Sequence, residues 1–120
     1  MELLLLGVSH HTAPVDLRER VDFSMRGVSE ALRALSECPS PAESVVLTTC
    51  NRAEIYVSCT DTDTTQRDLA RFMSRFHEVP EHELEPHLYT RIGGDVARHL
   101  FRVAAGLDSL VVGEPQIFGQ

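Results

Sequence analysis

Cysteine is scarce in this 120-residue chain, and the three cysteines follow no pairing pattern. Cys38, Cys50 and Cys59 are odd in number and irregularly spaced, which argues against a disulfide framework and predicts a reducing, cytoplasmic setting. Long apolar runs are missing as well, since no stretch approaches the roughly 18 apolar residues that a membrane span requires. The short apolar start, Leu3 to Val8, lacks the basic residues of a signal peptide, so we expect a buried strand there.

Recognisable cofactor motifs are also missing. No Gly-x-Gly-x-x-Gly follows a predicted strand and no Walker loop is present, so we expect no nucleotide-binding site in these residues. The spacing of His77, His82 and His87 fits neither one helix face nor a zinc pattern, and we expect no metal site. The net charge of −7 argues against a general nucleic-acid binder, although one end of an RNA could still be held.

The spacing of the apolar residues predicts a single α+β domain. The predicted strands cover residues 2–10, 43–47, 53–60 and 86–92, and the predicted helices cover residues 14–21, 24–35 and 63–76 and a last segment from residue 93. The order β-α-β-β-α-β-α resembles a ferredoxin-like, split βαβ fold, in which helices pack on one face of an antiparallel sheet.

Capping signals predict where two of these helices begin. Ser24 is a plausible N-cap for a helix whose apolar stripe is Met25, Val28, Ala31, Leu32 and Leu35. Asp63, with Gln66 three residues later, resembles a capping box for a helix that buries Leu69, Phe72, Met73 and Phe76.

The stretch from Thr48 to Arg52 lies between two predicted strands and contains reactive residue types. It puts Cys50 in a tight connection, with Arg52 two positions on. A permanent cation beside a turn cysteine favours the thiolate, and a guanidinium can also grip a carboxylate with two parallel hydrogen bonds. The residues alone leave a second interpretation open, in which Cys50 is a structural cysteine and Arg52 a surface cation.

His99 lies on the flank of the apolar stripe of the last predicted helix, which consists of Val96, Leu100, Val103, Ala104 and Leu107. It is either a satisfied boundary residue or, if that helix crosses the Cys50 turn, a general acid or base at neutral pH. Spacing alone does not assemble a cysteine–histidine site from these two residues.

Other polar residues are candidates of lower specificity. Glu114 and Gln116 lie in a glycine-bounded turn, where polar side chains are usually on the surface. Ser9, His10 and His11 leave the first strand with alternating side chains, so at most two of them face one site.

Three segments together resemble one family, glutamyl-tRNA reductase. They are Gly7–Pro14 with Arg18 and Glu19, Thr48–Tyr56, and His99–Gln120. The similarity spans residues 3–120, and a small departure is Phe118, where a smaller aliphatic residue is commoner.

The resemblance implies the N-terminal catalytic domain, covering residues 1–120, of a three-part enzyme. The NADPH-binding domain and the helical dimerisation domain would then be absent from this chain. NADPH is the cofactor that the family implies, and none is expected to bind these residues. The implied partners are the acceptor end of glutamyl-tRNA, a second copy in the full-length homodimer, and glutamate-1-semialdehyde aminomutase by channelling, with no membrane.

The resemblance also implies a chemistry for the site. Cys50 would attack the ester that joins glutamate to tRNA, and NADPH would reduce the resulting thioester to glutamate-1-semialdehyde for tetrapyrrole synthesis. Arg52 would pair with the glutamate side chain, and His99 would assist proton transfer. The family pocket further implies Thr49, Ser109 and Gln116 as lining residues, Glu114 as a positioning residue, and Ser9 and His10 as the remaining wall.

Two other functions stay open beside this one. Without a hydride donor, the domain could act as an esterase in which water resolves the thioester. Alternatively, the chain could be a non-catalytic ferredoxin-like binding module, which would tolerate replacement of Cys50 by serine.

Overall fold

A computed structural model of the chain describes residues 1–106. Its elements are β1 (Glu2–Ser9), α1 (Val15–Arg20), α2 (Val28–Leu35), β2 (Glu43–Thr49), β3 (Arg52–Cys59), α3 (Thr62–His77), α4 (Glu81–Leu84), a 3-10 turn (Glu85–His87), β4 (Tyr89–Ile92) and α5 (Gly94–Ala104). The chain thus combines helices and strands as its apolar spacing predicts.

The four strands form one antiparallel sheet in the order β2-β3-β1-β4. β1 lies between β3 and β4, and its residues from Leu4 onwards are buried. A continuous apolar run is typical of a strand that is covered on both faces, so the central position of β1 follows from its composition.

The main hydrophobic core lies on one face of the sheet, where alternate residues of β1 and β3 meet α1, α2 and α3. Among its members are Leu4, Leu6, Val8, Ile55, Val57, Phe23, Leu35, Leu69, Met73 and Phe76. The buried face predicted for α3 is confirmed, because Leu69, Phe72, Met73 and Phe76 are all buried in it.

The last of the described helices, α5, packs on the opposite face of the sheet, so the prediction that all helices cover one face is wrong. Its buried residues Val96, His99 and Val103 turn towards β1 and β4. His99 contacts Glu54, which lies opposite Gly7 on the face that points away from the main core. The apolar run of β1 presents side chains such as Leu5 to this second face, and α5 covers part of it.

Both predicted helix starts are wrong by a few residues. The Ser24 backbone N–H donates to the Asp22 carboxylate (2.9 Å), so this segment forms a turn, and α2 begins only after Gly27. For α3, the cap is Asp61, whose carboxylate accepts the Thr64 N–H at 3.2 Å. In both places an aspartate that binds the backbone two or three residues ahead decides the local structure.

Three further details of the helices and strands depart from the sequence pattern. Met25 is 81% exposed because it precedes α2, and Leu100 is 47% exposed because α5 turns His99 inward instead. The fourth strand is short and occupies only the second half of its predicted range, since the 3-10 turn comes first. Within residues 1–106, no helix combines the length and the apolar character that crossing a membrane would demand.

His77, the last residue of α3, is an ionisable side chain placed among aromatic rings. Its ring centroid lies 4.6 Å from that of Phe23 and 5.1 Å from that of Phe76, and its Nε2 is buried without a hydrogen-bond partner. Burial, with a smaller contribution from the charge of Arg26, lowers the pKa of His77 to about 4. The folded protein therefore holds this imidazole neutral.

We expect the stability to fall as the pH drops from 6.5 to 4, because the unfolded chain binds a proton at His77 that the folded chain does not. The loss should reach about 2–3 kcal/mol over this range. Urea denaturation followed by circular dichroism measures it. The decrease in the free energy of unfolding with falling pH should be smaller in His77→Phe. It should be unchanged in the control His82→Gln, because His82 is exposed. The same decrease in all three proteins would show that His77 is not its source.

Candidate active site at the Cys50 turn

Cys50 and Asn51 form the two-residue connection between β2 and β3. Thr49 and Arg52 are the last paired residues on either side of it, and the Thr49 hydroxyl accepts the Asn51 N–H at 3.1 Å. Cys50 itself is exposed. The alternation of β3 and the β-branched character of β2 therefore place this cysteine where the sequence predicts it, in a tight turn between strands.

Two other elements hold this turn in place. The His10 backbone N–H donates to the Asn51 carbonyl at 2.8 Å, which ties the turn to the end of β1. Arg18, on α1, donates from Nη1 to the Cys50 carbonyl at 3.3 Å and from Nε to the Ala13 carbonyl at 3.2 Å. The backbone around the thiol is thus fixed by β1 and α1 while its side chain faces outward.

Antiparallel pairing sets three polar residues side by side on the second face of the sheet. Arg52 lies opposite Thr49 on β2 and opposite Ser9 on β1. Directly opposite pairs point to the same face of a sheet, so the three side chains form a row next to the Cys50 turn. Ser9 and Arg52 are buried, 3% and 4% exposed respectively.

Glu54 lies at the centre of a buried polar cluster beside this row. It is completely buried, and its carboxylate accepts hydrogen bonds from Arg52 Nη1 (3.0 Å), the Tyr56 hydroxyl (2.7 Å), the Tyr89 hydroxyl and His99 Nε2 (2.6 Å). We refer to these five residues as the Glu54 cluster. A buried charge is tolerated when it is paired and hydrogen-bonded, and here both conditions are met.

The partners of Glu54 determine its ionisation. Burial by itself would raise the pKa of the carboxyl, but the hydrogen bond from His99, the charge of Arg52 and the two tyrosine hydroxyls outweigh it, so the pKa of Glu54 is lowered. The same anion, together with burial, raises the pKa of Tyr56 and of Tyr89 well above the ordinary value for a tyrosine. At neutral pH the cluster therefore holds an ionised glutamate and two neutral tyrosines.

The contacts of Glu54 also define which nitrogen of His99 carries a proton. Nε2 lies 2.6 Å from the Glu54 carboxylate and 3.4 Å from Arg52 Nη1. A carboxylate only accepts, so we assign the proton to Nε2 on the shorter contact, and the longer contact with Arg52 is then not a hydrogen bond. In a neutral imidazole, Nδ1 is then the nitrogen that can accept a proton.

An open cavity of about 310 Å³ adjoins the cluster. Its lining residues are Ser9, His11, Thr12, Arg52, Tyr89, Arg91, His99 and Arg102. Three arginines and two histidines line it, and the carboxylate of Glu54 lies buried behind Arg52 and His99. A cavity with this cationic lining is suited to bind a ligand group that carries a negative charge.

The structure brings together some of the residues predicted for the site. Ser9, Arg52 and His99 line the cavity, whereas Cys50 and Thr49 belong to the adjoining turn. His11, not His10, faces the cavity; burial, followed by the charges of His11 and Arg52, lowers the pKa of His10. The predicted site residues Ser109, Glu114 and Gln116 lie outside the described residues.

Sequence reasoning missed Glu54 and Tyr89. The alternation of β3 assigns Glu54 to a solvent face, and Tyr89 falls in a strand with a weak pattern. The signal that was available is the apolar run of β1, which calls for cover on both faces and so predicts that polar residues of β3 become buried.

The residues of the Cys50 turn and the adjoining cavity indicate the class of protein domain to which this chain belongs. An exposed cysteine lies in a rigid turn, a histidine with one acceptor nitrogen and an arginine lie in an adjoining cavity, and the α+β sheet supports both. Cysteine, histidine and cationic groups are the parts that nucleophilic acyl transfer requires. Within residues 1–106, no group of three or more histidine, cysteine or carboxylate side chains is arranged to hold a metal ion.

Comparison with known proteins agrees with a domain built for nucleophilic acyl transfer. Residues 6–120 match the family described as glutamyl-tRNAGlu reductase, N-terminal domain. Glutamyl-tRNA reductases from Syntrophotalea carbinolica and Pseudoalteromonas translucida are each 48% identical over 120 residues, all of this chain but 27% and 28% of theirs. The solved structure of glutamyl-tRNA reductase from Methanopyrus kandleri superposes with a TM-score of 0.68 at 33% identity, covering 98% of this chain and 26% of that one.

This chain belongs to the glutamyl-tRNA reductase N-terminal domain family, as its similarity in sequence and structure shows. It spans little more than a quarter of the length of the curated relatives that it matches.

Proposed function

We propose that this chain carries the acyl-transfer site of a glutamyl-tRNA reductase, an oxidoreductase of tetrapyrrole biosynthesis that acts in the cytoplasm. The single observation that supports this most strongly is the exposed Cys50 in a fixed turn, two residues before the buried Arg52, in a member of this family.

In the proposed first step, the Cys50 sulfur attacks the carbonyl carbon of the ester between glutamate and the terminal ribose of tRNA. A carbon–sulfur bond forms and the carbon–oxygen bond to the ribose breaks. The thiol proton passes to Nδ1 of His99 and from there to the departing ribose oxygen, so that free tRNA leaves and a glutamyl thioester remains. The thioester carbonyl has poorer resonance than the ester and is the better acceptor for a hydride.

Arg52 is the residue that we assign to the side-chain carboxylate of the glutamyl group. It lines a cavity to which Arg91 and Arg102 add further positive charge. A glutamine side chain would put a neutral amide in place of the anion, and a charged partner lost in a buried site costs about 1.5–3 kcal/mol. Thr49, Ser109 and Gln116 would complete this pocket, with Glu114 as a positioning residue and Ser9 in its wall, while His10 would hold the Cys50 turn through its backbone N–H.

The junctions from β1 to α1 and from β3 to α3 contain no glycine, and the junction from β4 to α5 has Gly93 and Gly94 but no Gly-x-Gly-x-x-Gly sequence, the fingerprint of a dinucleotide pyrophosphate site. We therefore assign NADPH binding and homodimer formation to parts of the longer relatives outside residues 1–120. Contact with the acceptor end of glutamyl-tRNA, and channelling to glutamate-1-semialdehyde aminomutase, belong to the same proposal.

For the fold, we infer the ferredoxin-like, split βαβ arrangement. The strand order β2-β3-β1-β4 with antiparallel neighbours supports it, since β1 and β3 then form the centre of the sheet. α5 is an addition that covers the second face.

Mass spectrometry of the protein, quenched in acid soon after mixing with glutamyl-tRNA, tests the proposed reaction. We expect an added glutamyl mass on the peptide that contains Cys50 and none in Cys50→Ser. Cys38→Ser is the matched control, because Cys38 is a half-buried cysteine away from the turn and its replacement should leave the adduct intact.

Two other results are informative. Rapid release of free glutamate without an accumulated adduct, abolished by Cys50→Ser, would show an esterase in which water resolves the thioester. A glutamyl-tRNA ester that survives as long as in buffer would refute the acyl-transfer proposal for residues 1–120 and favour a binding module.

A further inference from the structure

Glu54 is the most buried ionisable group of the molecule's second face, and the proposed reaction does not use it directly. Its carboxylate accepts from four side chains on three elements, namely Arg52 and Tyr56 on β3, Tyr89 on β4 and His99 on α5. Burying an anion in a small domain is costly, and these four donors together offset that cost and fix the carboxylate in one orientation.

We propose that Glu54 is a positioning residue that fixes the proton-accepting nitrogen of His99 and the plane of the Arg52 guanidinium, and that Tyr89 acts through it. This inference rests on the proposed function, because it explains how Arg52, which we assign to the substrate carboxylate, and His99, which we assign to proton transfer, are aligned.

The case for His99 follows from hydrogen-bond chemistry. Glu54 Oε2 lies 2.6 Å from Nε2, which keeps the proton on that nitrogen and leaves Nδ1 as the acceptor. In the other neutral tautomer, Nε2 would carry a lone pair facing the carboxylate, and two acceptors would repel each other. Glu54 therefore selects one tautomer of an imidazole that is itself buried.

The case for Arg52 follows from the shape of its side chain. The guanidinium is planar, and holding Nη1 at 3.0 Å from Glu54 fixes the direction of the whole fork. The same oxygen, Glu54 Oε2, also accepts from His99, so the two side chains are aligned relative to one atom.

Tyr89 supports this oxygen from the other side. Its hydroxyl donates to Glu54 Oε2, and its ring centroid lies 5.5 Å from that of His99. Tyr56 donates to the other oxygen, Oε1. The two tyrosines thus differ in which oxygen they hold, which provides a matched pair of substitutions.

A readout independent of catalysis is the tautomer of His99. Long-range ¹H–¹⁵N NMR at pH 8 should show the proton on Nε2 in the unmodified protein, with His99→Gln identifying the resonances. In Glu54→Gln we expect this preference to be lost. A tautomer of His99 that is unchanged in Glu54→Gln would overturn the proposal, whether or not the protein reacts with glutamyl-tRNA.

The kinetic readout is a double-mutant cycle on the rate of Cys50 acylation. Glu54→Gln should slow acylation on the order of 10³-fold, as expected when a catalytic histidine loses its orienting carboxylate. Tyr89→Phe should slow it about tenfold in the Glu54 background and have no further effect in the Glu54→Gln background. Tyr56→Phe, at the other oxygen, should have the smaller effect.

Equal effects of Tyr89→Phe in both backgrounds would show that Tyr89 does not act through Glu54 and would overturn that part of the proposal. A purely structural role of Glu54 would lower the rate without changing the tautomer of His99. Should Glu54→Gln fail to fold, Tyr89→Phe and Tyr56→Phe still test the arrangement, because the two hydroxyls hold different oxygens of Glu54. Equal effects of these two substitutions on the acylation rate would count against the proposal.

Discussion

Arg52→Met is expected to lower the free energy of unfolding at pH 7 by about 3–5 kcal/mol, although methionine keeps an unbranched side chain in place of the apolar stem of the arginine. Arg52 and Glu54 are 4% and 0% exposed, and Nη1 of the arginine lies 3.0 Å from the carboxylate. Removing the cation leaves the anion buried without its charge partner. Urea denaturation of the variant and the unmodified protein measures the difference.

The pH dependence of this loss is a second part of the same prediction. In the unmodified protein the pKa of Glu54 is lowered from its ordinary 4.5, so the stabilisation is full above that pH and declines as the pH falls through the folded value. Without Arg52, the carboxyl is protonated more readily. The difference between the two proteins should therefore be largest at neutral pH and narrow as the pH falls below about 4.5.

Two further variants distinguish the stability lost by breaking the buried Arg52–Glu54 pair from the stability lost by removing any arginine. Arg20→Met removes a partner of Glu83 in a surface pair with an N–O distance of 3.7 Å, and we expect it to cost about 0–1 kcal/mol. Replacing both members, in Arg52→Met with Glu54→Gln, should recover part of the stability, because no charge is left unpaired and the amide oxygen can still accept a hydrogen bond from the buried tyrosines. A double variant less stable than Arg52→Met would contradict this explanation.

Gly7→Ala is expected to destabilise the protein by about 1–3 kcal/mol and to displace Glu54, although it adds one methyl group. A Cβ at this position would lie 2.7 Å from the Ala53 carbonyl oxygen and 2.8 Å from Glu54 Cγ. The first contact is with the backbone of a neighbouring central strand, which has little freedom to move. Thermal and urea unfolding measure the loss.

The matched control for this substitution is Gly94→Ala in the first turn of α5. There a Cβ meets nothing closer than Arg98 Nη2, at 3.6 Å, and alanine is the better helix former, so we expect stability to be unchanged or increased. If the two substitutions had equal effects, the cost at Gly7 would reflect the loss of glycine flexibility and not the contact with Glu54. An unchanged acylation rate in Gly7→Ala would contradict the expected displacement.

The spacing of apolar residues predicted the strands and helices correctly where one regular period runs through the whole element. The apolar run of β1, the hairpin around Cys50 and the buried face of α3 all follow from periods of two or 3.6 residues. The helix starts did not follow, because Asp22 binds Ser24 in a turn and Asp61 caps α3 two residues before Asp63. Local propensity could not decide between such neighbours.

The site was predictable only in part, for a geometric reason. Cys50 and Arg52 belong to one turn, and their proximity to each other is a local property. The contact between His99 and Glu54 joins residues of α5 and β3, and it depends on which face of the sheet α5 covers. No period within β3 or α5 contains that information, so Glu54 looked like a surface residue.

The central position of β1 has a consequence for the order in which the chain acquires its structure. β1 pairs with β3, up to Cys59, and with β4, up to Ile92, so β1 has neither partner until these later parts of the chain have been synthesised. The β2–β3 hairpin, by contrast, closes over two residues and can form within about 1–10 μs. Closing the long connections of β1 comes later and slows folding, since distant contacts carry a larger loss of chain entropy. The turn that presents Cys50 is therefore made early, whereas the residues that would control its reactivity meet only when α5 has docked.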